Sequence, residues 1–268
     1  MTSLTVKGNR GARFVPSALT IAARTLRKFV RTPQLIVFSA VNAIGFLVVF
    51  RYVFGGAVSL GNLSYVDFMI PGFVTAMVLF QGLGSAAGVA EDVEHGFFDR
   101  LRSLPISRGA IIAGRTLADT LLVVWALVLT TAMGFLVGFR LHTSVLSALA
   151  AFGLCVLYAF AFEWVFVAVG LFAGNAQAAQ GMTLIVMPLT FVSSAYVPVS
   201  TMPSWLRGFA DNQPITVMVN AVRSLTDGAV VQPLLHHDAA YFVWASLVWV
   251  AIIIAISAPL AVIRFSRQ

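Results

Sequence analysis

The sequence predicts an all-α integral membrane protein with six transmembrane helices. Two properties of the whole chain support this fold class: 59% of its 268 residues are hydrophobic, and only 10% are charged. Soluble domains are about 25% charged, so this chain lacks the polar residues to cover a water-facing surface. The third observation is that the apolar residues fall into six runs, each near the roughly 20 residues that a membrane-spanning helix needs.

The six runs are separated by polar or proline-containing stretches. The fourth run contains Glu163, and Pro188 is expected to kink the fifth. An even number of spans places both termini on the same side of the membrane. The predicted spans are Gln34–Phe54, Phe68–Ala90, Thr120–Phe139, Val145–Phe172, Gly181–Val199 and Tyr241–Ile263.

The distribution of basic residues predicts which side holds the termini. With both termini on one side, 13 of the 17 Lys and Arg residues lie in segments on that side. Positive charge concentrates in cytoplasmic segments, so both termini are expected in the cytoplasm, with the chain in the inner or plasma membrane. The net charge of +7 is thereby explained by topology and contact with membrane lipid, and a nucleic-acid partner is not expected.

Two segments outside the spans have amphipathic patterns. Ser17–Arg31 alternates apolar and basic faces at helical spacing and predicts an interfacial helix. We therefore divide the chain into an N-terminal cytoplasmic segment, 1–33, and a six-span domain, 34–265. Between spans five and six, Ser204–Ala210 predicts a short helix that dips into the outer membrane surface. A second helical stretch, Thr216–Leu225, follows Pro214.

The segment Glu91–Ala110, called the island below, is the most polar stretch between spans. It holds seven of the 27 charged residues, and it combines Phe97, Phe98, Leu101 and Leu104 with charged neighbours at helical spacing. The pattern is typical of a short amphipathic helix that ends at Pro105. From the pattern alone, the apolar face could dock on another protein or insert Phe97 and Phe98 among lipid headgroups.

Three stretches taken together resemble the ABC-2 type exporter permeases, closest to the daunorubicin-resistance type. The order and spacing of these stretches cover residues 30 to 265. Many family members have Thr directly after the glycine of the island, where this chain has Phe97. The stretches are Arg51–Ala57 with Tyr65–Gly72, the island with Leu104-Pro105 and Gly114-Arg115, and Val197-Pro198 with Met202–Leu206, Gln213–Thr216 and Arg223.

The resemblance implies that the island is a coupling helix seated in a cleft of a separate ATPase subunit. This chain has no G-x-x-x-x-G-K-[ST] phosphate loop, so no catalytic residue and no cofactor is expected in it. ATP and Mg would bind two copies of the partner ATPase, and two permease chains, identical or different, would pair through their first and fifth spans. The coupling residues would be Glu94, Phe97, Phe98, Asp99, Arg100, Leu101, Arg102, Leu104 and Pro105.

Aromatic, Met and uncharged polar residues on spans one, two and five are candidates for the substrate path. Such a wall suits a bulky amphipathic molecule better than an ion, although for each residue taken singly ordinary helix packing is the favoured explanation. The four His residues are not grouped for metal binding, and no metal is expected. The path candidates are Asn42, Phe46, Phe73, Met77, Gln81, Phe191, Ser194 and Tyr196.

Glu163 lies within the fourth predicted span, and Asp119 lies next to the cytoplasmic end of the third. A carboxyl at membrane depth is costly unless it is paired or functional; Glu163 could contact a substrate or a proton, or be a buried structural residue. Asp119 is expected to be structural, paired with Arg115 one helical turn earlier.

The leading function is the permease half of an ABC exporter that moves a drug, a lipid or a lipid-linked glycan out of the cytoplasm or inner leaflet. The alternatives are a proton-coupled secondary transporter that uses Glu163 and a membrane enzyme that acts on lipids.

Overall fold

A computed structural model of the chain describes residues 14–31, 41, 44–54, 64–98 and 108–267, and within these ranges it is built from helices and turns without a strand. Four of the described helices are long and apolar enough to cross a membrane. We number them in chain order with the shorter helices: α3 (Tyr65–Glu94), α4 (Arg108–Val137), α5 (Val145–Ala173) and α10 (Ala239–Arg267). They confirm predicted spans two, three, four and six as helices.

The helices extend past the predicted apolar runs, mainly at the end of the bundle next to the island. Helix α4 begins at Arg108, ahead of the apolar run from Thr120, as expected if Ser107 caps a helix that leads into the third span. Helix α3 continues to Glu94, past the end of its apolar run at Ala90. Backbone hydrogen bonding continues through polar residues once a helix is formed, so hydropathy underestimates helix length. We call the end of the bundle that holds Glu94 and Arg108 the island end. The opposite end, where α3 and α10 begin, is the Arg223 end.

Predicted spans one and five differ from the long helices. Of the first, the structure describes a short apolar helix, α2 (Ile44–Val53), which runs into a π-helical turn at Phe50–Phe54. The fifth is two short helices, α6 (Ala176–Thr183) and α7 (Val186–Phe191), not one kinked helix. The break falls at Leu184 because the Pro188 ring cannot donate to the carbonyl four residues earlier and clashes with it.

The predicted amphipathic N-terminal helix is present as α1 (Phe14–Val30). Its small residues Ala18 and Ala22 are buried, whereas Val15 and Leu19 are exposed. The close approach is to Gly114 on α4, where an added Cβ would come within 2.6 Å of the Ala18 carbonyl oxygen. Helix α1 therefore packs on α4 through small residues and leaves other apolar side chains on its surface.

Two helices follow the fifth segment. The predicted Ser204–Ala210 helix is α8 (Ser204–Asn212), with Trp205 80% exposed. Helix α9 (Pro214–Asp227) covers the predicted stretch Thr216–Leu225, but nearly all of its side chains are buried among α3, α5 and α10. It begins with Pro at the first helical position, where a missing N–H costs nothing.

Glycines allow α3 to pack closely on its neighbours along its whole length. An added Cβ at Gly72 would overlap the Ala195 backbone, and one at Gly82 would overlap the Phe166 ring. A Cβ added at Gly170 of α5 would lie 2.5 Å from the Ala86 carbonyl oxygen. Small residues permit such approach of membrane helices, and α3 is accordingly the most buried of the four spans.

Candidate functional site

The island end is held together by a cluster of apolar side chains. Phe98 is 3% exposed and packs edge-on against Phe265 near the end of α10, with ring centroids 5.2 Å apart. Ile111 and Ile112 of α4, Trp164 of α5 and Val89 of α3 belong to the same cluster. The island is thus fixed at Phe98 to α3, α4, α5 and α10 together.

The predicted coupling residues are only partly described. Glu94 is exposed, Phe97 is half-buried beside Phe98, and Gly96 between them and α3 has a φ of 62°. The buried Phe98 side chain points into the bundle and so positions the island instead of offering a contact surface. The remaining predicted coupling residues lie outside the described residues: Asp99, Arg100, Leu101, Arg102, Leu104 and Pro105.

The predicted path residues divide into accessible and buried groups. Phe46 and Phe191 are exposed and Gln81 is half-buried. Each exposed aromatic touches a buried one: Phe46 lies 6.2 Å from Phe73, and Phe191 lies 5.2 Å from Tyr196, between ring centroids. Asn42 lies outside the described residues, and Met77 and Ser194 are buried within the chain.

A charged cluster lies between α3, α4 and α5 in the half of the bundle nearest the island. The Arg115 Nε donates to Asp119 Oδ2 at 2.7 Å, which confirms the expected pair. Arg115 Nη1 also donates to Asp92 on α3, a partner that sequence reasoning missed. One guanidinium therefore joins two carboxylates on neighbouring helices.

Glu163 on α5 lies beside this cluster. Its side chain is 1% exposed, and Asp119 and Arg115 are within electrostatic range. Ser85 of α3 also influences this carboxyl, yet neither carboxyl oxygen accepts a hydrogen bond of normal distance and angle from a described residue. A buried carboxylate without donors is costly, and this position therefore favours a neutral carboxylic acid.

At the Arg223 end, Asp67 ties the start of α3 to the loop between α4 and α5. Its backbone N–H is capped by Ser64 Oγ, and its Oδ1 accepts a hydrogen bond from the Arg140 backbone N–H at 2.9 Å. His142 Nε2 lies 3.2 Å from Oδ2. The loop between α4 and α5 is also tied to α9, because Thr143 Oγ1 donates to the Leu225 carbonyl at 2.6 Å.

Arg223 on α9 is the most unexpected residue of this end, since its place in the helical stretch Thr216–Leu225 of the outer segment did not predict burial. It is 1% exposed. Its guanidinium stacks 3.7 Å from the centroid of the Phe68 ring and donates to the Phe68 and Ser194 carbonyls and to Asn220 Oδ1. The apolar run Ile215–Val222 was the available signal that α9 is buried.

Asp227 lies one helical turn beyond Arg223 and is fully buried. Neither of its carboxyl oxygens accepts a hydrogen bond from a described residue. Burial raises the pKa of the Asp227 carboxyl well above its ordinary value, the charge of Arg223 opposes this, and Asp67 adds to it. Burial lowers the pKa of Arg223, and Asp227 opposes the change; a guanidinium starts so high that it remains charged.

The long apolar helices define a multi-pass integral membrane protein. Among the described residues, no group of three or more His, Cys, Asp and Glu side chains could hold a metal ion. Residues 17–226 match the sequence model of the ABC-2 type transporter family, and the chain belongs to that family. Membership implies that an ATP-binding subunit is the partner of this chain.

Two relatives bear names that describe drug resistance. The chain is 32% identical, over 82% of its length and 79% of the relative's, to the daunorubicin resistance ABC transporter permease protein DrrB1 of Streptomyces coeruleorubidus. It is 26% identical, over 97% of its length and 92% of the relative's, to the probable doxorubicin resistance ABC transporter permease protein DrrC in two strains of Mycobacterium tuberculosis.

Proposed function

We propose that this chain is the permease subunit of an ATP-driven exporter for a bulky amphipathic substrate of the drug, lipid or lipid-linked glycan class. The observation that carries the proposal is the family match, which runs from α1 through the island to α9. The relatives named for daunorubicin and doxorubicin resistance favour a drug. The substrate leaves the cytoplasm or inner leaflet as the path switches from inward- to outward-accessible.

The partner ATPase supplies the energy. Two copies bind ATP and Mg and press on the islands of two permeases, whose termini are cytoplasmic. The fixed attachment of the island through Phe98 and Phe265 supports this proposal, because a push on the island then reaches several helices at once. The island residues Leu101 and Leu104 are the proposed apolar contacts with the ATPase.

The two permeases pair through spans one and five. Support comes from the large apolar side chains that a single chain leaves exposed there. On α2 these are Ile44, Phe46, Val48, Val49 and Val53, and around α6 and α7 they are Met182, Leu184, Ile185, Met187 and Phe191. In this arrangement Phe46 and Phe191 border the path between the subunits.

The test is purification of the tagged chain from its native membrane after crosslinking, with mass spectrometry of its partners. A P-loop ATPase is expected in a one-to-one ratio with the permease. The double variant Leu101→Asp/Leu104→Asp should remain in the membrane but lose the ATPase and drug efflux. The matched control Leu101→Met/Leu104→Met keeps volume and apolarity and should retain both.

The second candidate is a proton-coupled transporter, favoured by the buried and unpartnered carboxyl of Glu163. Recovery of the crosslinked permease without an ATPase, together with drug efflux driven by a pH gradient, would establish that candidate and overturn the first. Efflux that needs ATP and disappears in the Asp double variant would exclude it.

A further inference from the structure

A polar cavity of about 270 Å³ opens beside Arg223 at the Arg223 end. Its walls come from α3, the end of α8, α9, α10 and the segments that precede α8 and follow α9, and they include Ser194, Asp211, Asn220, His237 and Tyr241. Pockets for drug-sized ligands span roughly 300–1,000 Å³. This cavity therefore suits a small polar group better than a whole amphipathic drug.

The floor of the cavity offers hydrogen-bond donors. Arg223 has five N–H groups, of which the hydrogen bonds to Phe68, Ser194 and Asn220 use three. One N–H on each terminal nitrogen remains. The guanidinium is held rigidly by these bonds and by the Phe68 ring, so the two remaining donors have fixed directions.

Asn220 adds donors of fixed orientation. Its Oδ1 accepts hydrogen bonds from Arg223 Nη1 at 3.0 Å and from Ser194 Oγ at 2.8 Å. A guanidinium can only donate, so the atom that faces Arg223 must be the amide oxygen and the Nδ2 group must point elsewhere. Nδ2 has no acceptor among the described residues, and it is not closed off from the cavity that Asn220 lines.

The charge of Arg223 is not neutralised by a contact. No described carboxylate forms an ion pair with it, and Asp227, its nearest acid by electrostatic influence, makes no hydrogen bond to it. Buried charges are normally paired. A buried, unpaired guanidinium beside an amide donor is a site for an anionic group with several acceptor oxygens, which is the chemistry of a phosphate.

The position of the cavity indicates where such a phosphate comes from. Exposed aromatic side chains surround this end of the bundle: Trp205 and Phe209 on α8, and Tyr241 and Trp244 on α10. Aromatic residues of this kind mark the membrane–water interface, the level at which lipid phosphates lie. Asp211, which also lines the cavity, suits the amine of a zwitterionic headgroup.

We propose that Arg223 and Asn220 form a binding site for the phosphate of a phospholipid headgroup at the Arg223 end of the bundle. The site lies within one chain, whereas Phe46 and Phe191 border the proposed path between two subunits; Ser194, a predicted path residue, lines the cavity. The site requires neither a partner ATPase nor transport. Lipid bound there would stabilise α9 against α3, α10 and the turn at Ser194.

The experiment is a thermal unfolding titration of the purified full chain in detergent with dihexanoyl phosphatidylethanolamine. The wild type should show a saturable rise in Tm, because a ligand that binds only the folded state stabilises it. Asn220→Asp keeps the acceptor for Ser194 and Arg223 but replaces the donor with a carboxylate oxygen. This variant should have an unchanged or higher Tm without lipid and should not respond to it.

Asn175→Asp is the matched control, because it adds the same charge at the island end and keeps the oxygen that caps α6. It should respond like the wild type. An equal response of Asn220→Asp and the wild type would overturn the proposal, as would a Tm rise with dihexanoylglycerol, which has no phosphate. A rise with inorganic phosphate alone would support the phosphate site and assign it to the free anion.

A second measurement does not depend on any variant. Native mass spectrometry of the wild type released from nanodiscs of mixed phospholipid and galactolipid should retain phospholipid preferentially. Equal retention of both lipids would contradict a phosphate site even if Asn220→Asp did not fold. Failure of this proposal would leave the exporter function untouched, since the exporter test reads ATPase binding and drug efflux.

Discussion

Phe98 meets Phe265 in an edge-to-face contact, with planes 83° apart. The contact joins the island, at Phe98, to the last turn of α10, at Phe265. Aromatic pairs of this geometry contribute about 0.5–1.5 kcal/mol beyond the area they bury. The pair therefore couples the two segments energetically as well as spatially.

A double-mutant cycle measures that coupling. Phe98→Leu and Phe265→Leu should each lower the free energy of unfolding, and the double variant should lose less than the sum by about 0.5–1.5 kcal/mol. Equilibrium unfolding in mixed detergent micelles is the measurement. Phe209→Leu, at a half-exposed position, is the control and should be additive with either change. Strict additivity of Phe98→Leu and Phe265→Leu would show that the contact is not made.

Gly82 and Gly84 on α3 offer a matched pair. An added Cβ at Gly82 would overlap the Phe166 ring, whereas at Gly84 it would meet nothing. Gly82→Ala should destabilise the protein by about 1–3 kcal/mol through overpacking. Gly84→Ala should be neutral or stabilise it by up to about 1 kcal/mol, because Ala favours helix. Thermal unfolding compares them; equal Tm values for the two variants would contradict the close packing of α3 on α5.

Hydropathy was sufficient to predict the long helices but not the interior polar contacts. Spans two, three, four and six follow from apolar runs because each run is long enough by itself to cross a bilayer. Pro188 was predicted to kink one continuous fifth helix; it instead divides the segment into two short helices, and the break lies at Leu184 because Pro188 acts on the carbonyl four positions earlier. The partnership of Arg115 with Asp92 could not be predicted, because the two residues lie on helices whose relative rotation a single sequence does not specify.

Arg223 shows the same limit at the other end. The sequence predicted a helical stretch of the outer segment around Arg223, and only the burial of nearly the whole of α9 places this residue in the interior. For the stretch of the island beyond Phe98, the amphipathic helix and its contact with the ATPase remain predictions from sequence.

Arg115 is expected to be essential for stability. Arg115→Met would leave the buried Asp119 and the partly exposed Asp92 without their shared cation. The expected loss is about 3 kcal/mol, the lower end of the roughly 3–5 kcal/mol range for a buried pair, because the Arg115 side chain is 16% exposed and that of Asp92 30%. Arg140→Met is the control, because exposed Arg140 donates its side-chain hydrogen bonds to backbone carbonyls at the surface; the expected loss is within about 1 kcal/mol. Detergent-solubilised yield and Tm report the difference, and similar values for both variants would refute the role of Arg115.

Glu163→Gln should leave the fold and the export activity intact. The carboxyl accepts no hydrogen bond from a described residue and lies beside Asp119, so a neutral amide of the same shape fits the position. The Tm should be unchanged or higher, and ATP-driven drug uptake into inverted vesicles should match the wild type. A correctly folded Glu163→Gln protein that has lost transport would instead assign Glu163 to the proton or substrate pathway.

Asp67→Ala should loosen one end of the loop between α4 and α5. The Arg140 amide would lose its acceptor, Asp67 Oδ1, and should exchange faster with deuterated solvent. The His142 amide donates to the Thr226 carbonyl at 3.0 Å and should keep its protection, so it serves as an internal control. The loss of stability should be about 1–3 kcal/mol. Unchanged exchange at Arg140 would show that Asp67 does not hold the loop.

The glycine contacts of α3 have a mechanical consequence. With Gly82 against Phe166 and Gly170 against the Ala86 carbonyl, α3 and α5 pack so closely that rotation or sliding of one past the other would cause steric overlap. Close-packed surfaces of this kind resist gradual deformation. Helices α3 and α5 therefore move as one rigid lever. A displacement at the island end tilts the whole lever and so reaches the Arg223 end, because the two helices do not slip past each other.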